Sequence, residues 1–138
     1  PVGSVLCGSR DFIAEARRNR KVLGGGMRQA GGLVAQGIID MSKMVKRLPE
    51  DHRNAGMLAA MLKDIKGVNV FEDRLDINIV FFTLDIDVED NDFVSHFADA
   101  NIKVYPPEGM IFRFVLNYDV SADDLPLIHD TLKEFMLL

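Results

Sequence analysis

A run of glycines around one arginine is the first feature of this sequence that could do chemistry. Residues 24–32 read Gly-Gly-Gly-Met-Arg-Gln-Ala-Gly-Gly, with Arg28 at the start of a predicted helix. Unpaired N–H groups and the positive end of the helix dipole meet at a helix start, and glycines let a phosphate or carboxylate approach the backbone. The segment therefore fits an anion site. Glycines between two helices also serve as a C-cap and connector, and the residue types alone favour that interpretation.

Arg113 is the second candidate, because it lies in the middle of an apolar strand. In Phe112-Arg113-Phe114, strand alternation puts the arginine on the face opposite both phenylalanines. A guanidinium on an apolar face needs a carboxylate partner, since an unpaired buried charge is costly. The partner is either a bound ligand or one of the 21 acidic residues of the chain, and the sequence leaves both open.

The other reactive residue types predict no site. The three histidines stand in predicted helices without the spacing of metal ligands, and the acidic residues between 85 and 92 lack the spacing of a calcium loop. Cys7 has no activating neighbour and is predicted to be a small core residue. We therefore predict no metal site and no nucleophile in this chain.

Helices are predicted to position the glycine run. The pattern predicts a short buried strand over Val2–Cys7 and a helix over Arg10–Leu23, with Ser9 as its N-cap. A second helix is predicted from Met27 to Leu48, with an apolar seam that must be covered along much of its length. Pro49 then opens a new helix.

The rest of the chain changes to a mixed pattern of helices and strands. Its predicted elements are a helix over 49–66 stopped by Gly67, strands over 68–71 and 77–84, a helix over 91–100, a hairpin of strands over 102–105 and 110–118, and a final helix opened by a capping box over 121–124. The strand over 77–84 is predicted to be central. The pattern of residues 49–138 therefore predicts an α+β segment in which helices pack on a largely antiparallel sheet.

Composition excludes several classes of protein. The net charge of -5 argues against a general nucleic-acid binder, and one cysteine allows no intrachain disulfide, which favours a reducing cytoplasm. No stretch has the length of a membrane span. The chain begins with proline, so we expect it to be processed or a fragment.

Several segments of the first half resemble the threonine aldolases. These enzymes belong to the beta-eliminating lyases, within the aspartate-aminotransferase-like (fold type I) group that uses pyridoxal phosphate. The matching segments, in order, are Pro1-Val2-Gly3-Ser4-Val5-Leu6, Gly8-Ser9-Arg10-Asp11-Phe12-Ile13, Arg20-Lys21 and Gly24 to Gly31. The match is specific through His52 and stays in register to the end.

The resemblance implies a role for each candidate cation. It maps Arg28 and Lys21 to binding the phosphate of pyridoxal 5'-phosphate, with Arg28 reaching the cofactor of a neighbouring subunit. It maps Arg113 to the arginine that holds the α-carboxylate of the substrate. The lysine that forms the Schiff base with the cofactor would lie just before Pro1, so no catalytic residue is expected in this chain.

The resemblance also implies an α/β fold class overall, a domain organisation and an activity. Residues 1–48 would be the C-terminal end of the large PLP-binding domain with its linking helix, and residues 49–138 the small C-terminal domain. The whole enzyme would cleave L-threonine or L-allo-threonine to glycine and acetaldehyde as a cytoplasmic homo-oligomer, a dimer or tetramer. This chain would need the missing N-terminal part, or a companion chain, and would be inactive alone with an exposed apolar seam.

Two departures and one alternative remain. Ile77-Asn78 stands where the family often has Thr-Asn, and Leu116-Asn117 where it often has Thr-His, which leaves substrate preference or a related β-elimination open. The alternative is a non-catalytic small-ligand-binding or regulatory α+β module, residues 49–138, preceded by an oligomerisation helix. Such a module would fold independently and bind an amino acid without cofactor.

Overall fold

The computed structural model describes residues 4–75 and 77–138. In these ranges the helices are α1 (Arg10–Val22), α2 (Gly31–Ser42), α3 (Leu48–Leu62), α4 (Asp90–Asp99) and α5 (Leu125–Phe135), and the strands are β1 (Val68–Val70), β2 (Ile79–Leu84) and β3 (Phe112–Val115). Contacts divide the chain into two compact units, Pro1–Lys46 and Arg47–Leu138. Within the described ranges, none of the helices combines the length and apolarity that crossing a membrane requires.

The first helix begins and ends as its sequence predicts. The Ser9 side chain accepts a hydrogen bond from the Phe12 N–H at 3.3 Å, and the basic Arg20 and Lys21 lie in the last turn, where the helix dipole favours them. The strand predicted over Val2–Cys7 is wrong for its described part, residues 4–7, which is irregular and exposed. Residues 2 and 3 lie outside the described ranges. Cys7 is likewise exposed rather than part of a core.

The second helix is shorter than predicted. It begins at Gly31 rather than Met27, because Gln29 takes a positive φ of 52° that no α-helix accommodates. It ends at Ser42, whose hydroxyl donates back to the Ile38 carbonyl at 2.6 Å, a bond that tends to bend helices. A 3₁₀ turn over Met44–Arg47 then leads into α3. No residue of α2 is buried, so its apolar seam is exposed in this chain, as expected for the chain by itself.

Strand order in the second unit confirms a central position for β2. The sheet has the order β1-β2-β3, and both pairings are antiparallel. The predicted hairpin is wrong, because the chain over 102–105 is irregular and β3 pairs with β2 instead. A tight turn over Glu108–Ile111, directly after Pro106-Pro107, leads into β3 without a second strand. Pro has no N–H to donate to a ladder, which explains the interruption.

Phenylalanines form the centre of the core. One face of the sheet presents Phe82, Phe112 and Phe114, and these rings meet Phe93 and Phe97 of α4. The centroid distances include 4.9 Å for Phe82–Phe114 and 4.6 Å for Phe93–Phe112, which are favourable for aromatic pairs. Helices α3 and α5 cover the same core with leucines. The α/β fold class is therefore confirmed, with helices packed on an antiparallel sheet.

A buried ion pair stands at the start of α3. The guanidinium of Arg47 contacts the Asp51 carboxylate with both terminal nitrogens, at 2.9 and 3.0 Å, and Asp51 is 3% exposed. The Arg47 guanidinium also lies 4.9 Å from the centre of the Tyr118 ring. The Arg47 guanidinium thus contacts both the start of α3 and Tyr118, and its removal would leave the buried Asp51 charge uncompensated.

The capping box before α5 forms as predicted. The Asp124 carboxylate accepts hydrogen bonds from the Ser121 hydroxyl at 2.7 Å and from the Ser121 N–H at 2.8 Å. The hydroxyl, and after it the backbone N–H, lowers the pKa of Asp124 below its ordinary value.

Candidate functional site

The first glycines of the run form the cap of α1. Gly24 has a φ of 83°, its N–H donates to the Lys21 carbonyl at 3.1 Å, and the Gly25 N–H donates to the Arg20 carbonyl at 2.8 Å. These two hydrogen bonds, together with the left-handed conformation of Gly24, form the Schellman motif that ends many helices. The connector interpretation is therefore right for Gly24 and Gly25.

At Gly25 and Gly26 the neighbouring atoms leave no room for a side chain. A Cβ added at Gly25 would lie 2.9 Å from the Arg20 carbonyl oxygen, and one added at Gly26 would lie 3.0 Å from the ammonium nitrogen of Lys21. The structure thus brings Lys21, one of the candidate cations, against the backbone of the glycine run. A positive charge and a bare backbone at one place are what an anion requires.

The start of α2 adds backbone donors to the same segment. Its N-cap, Ala30, makes no side-chain hydrogen bond to the first turn, and added Cβ atoms at Gly31 and Gly32 would meet no described atom within 4 Å. Arg28 is exposed and lies just before this helix start. The helix N–H groups therefore remain accessible to a ligand, as the anion-site interpretation of the segment requires.

An open groove of about 1320 Å³ lies beside the segment within the first unit. Its lining combines the glycines at 24–26 with the apolar face of α2, including Leu33, Val34 and Ile38. Its charged lining includes Arg20 and Asp40, whereas Lys21 and Arg28 are not among the described lining residues. No sequence signal marks Arg20 as a residue that lines a groove, because a basic cluster at a helix end is explained equally well by the helix dipole.

Arg113 lies in the second unit, on the sheet face that the helices do not cover. Its Nη2 lies 3.1 Å from the Glu108 carboxylate, and its guanidinium carbon lies 5.3 Å from the centre of the Tyr105 ring. Across the sheet it pairs with Phe81, whose ring is covered by Arg74 at 4.0 Å. The salt-bridge alternative is thus realised, but Arg113 and Glu108 keep side-chain exposures of 32% and 75%, so a ligand can reach the guanidinium.

Of the two departures from the family pattern, Leu116-Asn117 has a structural role here, whereas the Ile77 side chain is exposed. Asn78 donates from its side-chain amide to the Leu116 carbonyl at 2.5 Å, and the Leu116 N–H donates back to the Asn78 carbonyl at 2.8 Å. The Leu116 side chain is buried in the core, and the Asn117 side-chain oxygen accepts from the Asp119 N–H at 2.9 Å in a turn. In this structure, both Leu116 and Asn117 act in folding the chain.

Two of the three histidines, His96 and His129, make polar contacts within the second unit. The His96 Nε2 lies 3.0 Å from the Thr131 carbonyl and joins α4 to α5, and the His129 Nδ1 lies 2.8 Å from the neighbouring Asp130 carboxylate. In the part of the chain that the structure describes, no three His, Cys, Asp or Glu side chains are grouped to hold a metal ion.

Comparison with known proteins points to one family. The family model of the beta-eliminating lyases matches residues 1–85. The chain is 40% identical over 125 residues to the low specificity L-threonine aldolase of Escherichia coli K12, covering 91% of this chain and 36% of that protein. It is 35% identical over 133 residues to the probable low-specificity L-threonine aldolase 2 of Arabidopsis thaliana, covering 93% of this chain and 37% of that protein.

A fungal relative shows the same proportions. The low specificity L-threonine aldolase of Saccharomyces cerevisiae is 31% identical over 136 residues, which cover 97% of this chain and 33% of the relative. The chain therefore spans about a third of the length of these curated relatives.

Proposed function

The chain belongs to the beta-eliminating lyase family, and from this membership we propose that it is part of a pyridoxal-phosphate-dependent threonine aldolase. The observation that carries the proposal is the similarity of over nine-tenths of the chain to proteins named low-specificity L-threonine aldolases. The proposed reaction is the cleavage of L-threonine or L-allo-threonine to glycine and acetaldehyde.

The geometry of the glycine run supports a phosphate at this place. Lys21 lies against Gly26, the start of α2 has no side-chain cap, and the Arg28 side chain is exposed beside it. A phosphate dianion accepts hydrogen bonds from an ammonium, a guanidinium and backbone N–H groups together. We propose that Lys21, Arg28 and the first turn of α2 hold the cofactor phosphate, with Arg28 serving the neighbouring subunit.

Arg113 is the proposed substrate-binding residue. Its planar guanidinium suits the α-carboxylate of an amino acid, and Tyr105 beside it limits the directions in which the guanidinium can turn. When bound, pyridoxal phosphate supplies an electron sink for the bond-breaking step. The contribution of Arg113 is to bind and orient the substrate, which lowers the entropic cost of reaching the reactive arrangement.

The remaining parts of the proposal concern the whole protein. We propose that residues 1–48 are the end of a large cofactor-binding domain and residues 49–138 a small C-terminal domain. The lysine that bonds to the cofactor would come from polypeptide outside these residues, so the chain alone would be inactive. A homo-oligomer, a dimer or tetramer, agrees with the exposed apolar face of α2, and the exposed thiol of Cys7 agrees with a reducing cytoplasm.

The test uses the protein from which this chain comes. Its intact mass is measured first, followed by its visible absorbance with added pyridoxal phosphate and by release of acetaldehyde from threonine. We expect a mass above that of 138 residues, a band that borohydride removes, and acetaldehyde. Absence of the band from a protein of the full length of its relatives would contradict the proposal.

Variants assign the two cation roles. Arg28→Ala should weaken cofactor binding by roughly 10- to 100-fold, the value of a hydrogen bond to a charged group. Arg113→Ala should instead raise the KM for threonine while cofactor binding stays normal. Arg17→Ala, which removes an exposed arginine of α1, is the matched control and should change neither quantity.

A binding measurement, combined with the absorbance experiment above, tests the second candidate function. A folded second unit with its own core is what a non-catalytic binding module would need. If glycine binds residues 47–138 without cofactor and the intact protein gains no visible band, the binding module replaces the aldolase proposal.

A further inference from the structure

A two-residue turn brings a carboxylate to the proposed substrate-binding arginine. The Glu108 N–H donates to the Ile111 carbonyl at 3.0 Å, and the Ile111 N–H donates to the Glu108 carbonyl at 3.2 Å. The two residues between them, Gly109 and Met110, both have positive φ, of 58° and 68°. These values are typical of the type I′ turn that joins antiparallel chains most tightly.

The turn determines which way the Glu108 side chain points. Directly opposed residues of an antiparallel bridge share one face of the sheet, so Glu108 lies on the same face as Ile111. Arg113 is two residues beyond Ile111 and therefore on that face too, at the diagonal position. The 3.1 Å contact between the Glu108 and Arg113 side chains follows from the backbone of the turn.

The turn keeps this arrangement at a cost. Met110 has a Cβ, and a left-handed conformation is unfavourable for such a residue, whereas the glycine beside it adopts the same region freely. Residues held in unfavourable conformations are concentrated at ligand-binding sites and switch regions. Two prolines, Pro106 and Pro107, stiffen the approach to the turn and connect Tyr105 to Glu108, so both partners of Arg113 come from one short segment.

The ion pair is open to exchange. Glu108 contacts one terminal nitrogen of the guanidinium through one oxygen, and its side chain is 75% exposed. A free carboxylate can contact two nitrogens of the guanidinium at once, which is the stronger arrangement. An exposed pair with single contacts contributes little free energy and is displaced readily.

We propose that Glu108 occupies Arg113 until the carboxylate of an amino acid displaces it, so that Glu108 sets substrate affinity at this site. The inference rests on the proposed role of Arg113 and adds a competing group inside the protein. A substrate must replace an existing ion pair rather than fill an empty site. Removal of the Glu108 charge therefore tightens carboxylate binding, whereas a supporting residue would weaken it when removed.

The test measures binding of acetate to the guanidinium of Arg113 without any cofactor. The full 138-residue chain is labelled with ¹⁵N, the Arg113 Nε–H signal is assigned with an Arg113→Lys variant, and acetate is titrated. Glu108→Gln should bind acetate about two- to fivefold more tightly than the unchanged chain, as expected from the free energy of an exposed ion pair. Glu134→Gln, which removes an equal charge from an exposed position on α5, should leave the affinity unchanged.

Two results would overturn the proposal. Equal acetate affinity in Glu108→Gln and Glu134→Gln would show that Glu108 does not compete. Weaker binding in Glu108→Gln, with its thermal unfolding unchanged, would show that Glu108 supports the guanidinium instead.

The absorbance experiment and the acetate titration distinguish failure of the proposed function from failure of this inference. A protein that gains no cofactor band would end the aldolase proposal without affecting this titration. Conversely, if acetate moved the Arg113 signal in no variant, the competition and the carboxylate role of Arg113 would both fall, and the phosphate role of Lys21 and Arg28 would stand.

Discussion

The two units of this chain differ in what holds their helices. In the unit Arg47–Leu138, helices α3, α4 and α5 each bury residues in a common phenylalanine core, whereas α1 and α2 of the other unit bury none. Helices of 12 and 13 residues are marginal in water without tertiary contacts. The proposed phosphate site therefore lies on helices that bury no residue, while Arg113 lies on a sheet with a buried core.

The largest expected effect comes from emptying the core of the second unit. Phe82→Ala removes a ring whose centroid lies 4.9 Å from that of Phe114 and should lower the free energy of unfolding by about 3–5 kcal/mol. Ile38→Ala, on the exposed face of α2, should change it by less than about 0.5 kcal/mol. Urea unfolding followed by circular dichroism measures both. Comparable losses at the two positions would show that the two units share one core.

Breaking the buried ion pair comes next. Arg47→Ala leaves the Asp51 carboxylate without its bidentate partner and should destabilise the second unit by about 3 kcal/mol. Arg53→Ala removes an exposed arginine from the same helix and should have little effect. The midpoint of urea unfolding separates the two variants. A loss as small as that of the control would place Arg47 among the surface ion pairs.

Two glycines with positive φ sharpen the comparison between units. Gly67→Ala should cost about 1–2 kcal/mol of global stability, because Gly67 has a φ of 86° and its added Cβ would lie 2.9 Å from the Met136 side chain. Gly24→Ala carries a similar backbone strain at the end of α1. Because α1 has no buried residue, we expect that strain to speed hydrogen exchange in α1 and leave the global midpoint in place. A global loss from Gly24→Ala would mean that α1 unfolds together with the second unit.

The smallest expected effect is the pH dependence of the capping box. Hydrogen bonds from Ser121 lower the pKa of Asp124 in the folded chain. The charged carboxylate therefore stabilises the start of α5 at pH values above the ordinary pKa of 3.8. That contribution should be lost as the pH falls through the lowered pKa of the folded state. Unfolding curves of the unchanged chain and of Asp124→Asn should therefore differ at neutral pH and converge in acid. Asp123→Asn, at the neighbouring exposed position, is the control, and curves that stay apart in acid would contradict the assignment.

Prediction of the fold succeeded where local chemistry decides the structure. Ser9 caps α1, Pro49 lies in the first turn of α3, and Ser121 with Asp124 forms the box before α5, because each signal acts within one turn of the chain. The prediction failed for residues 27–30 and 102–105, which have helical and strand-like patterns respectively but are irregular in the structure. The spacing of apolar residues shows only that a segment could bury one face as a helix or a strand. Whether the segment pairs in a sheet depends on neighbours that are distant in sequence.

The sequence by itself determined the class of fold, the central strand and the residue types available for anion binding. Its residue patterns identified Arg28 and Arg113 as cations that could carry such a role, and its resemblance to the threonine aldolases added Lys21. Only the tertiary structure decided that the Lys21 ammonium lies against Gly26 and that Glu108 contacts Arg113. The physical reason is that a long side chain finds its partner through backbone turns, here a Schellman cap and a type I′ turn, whose directions depend on a few φ angles that residue type only partly restricts.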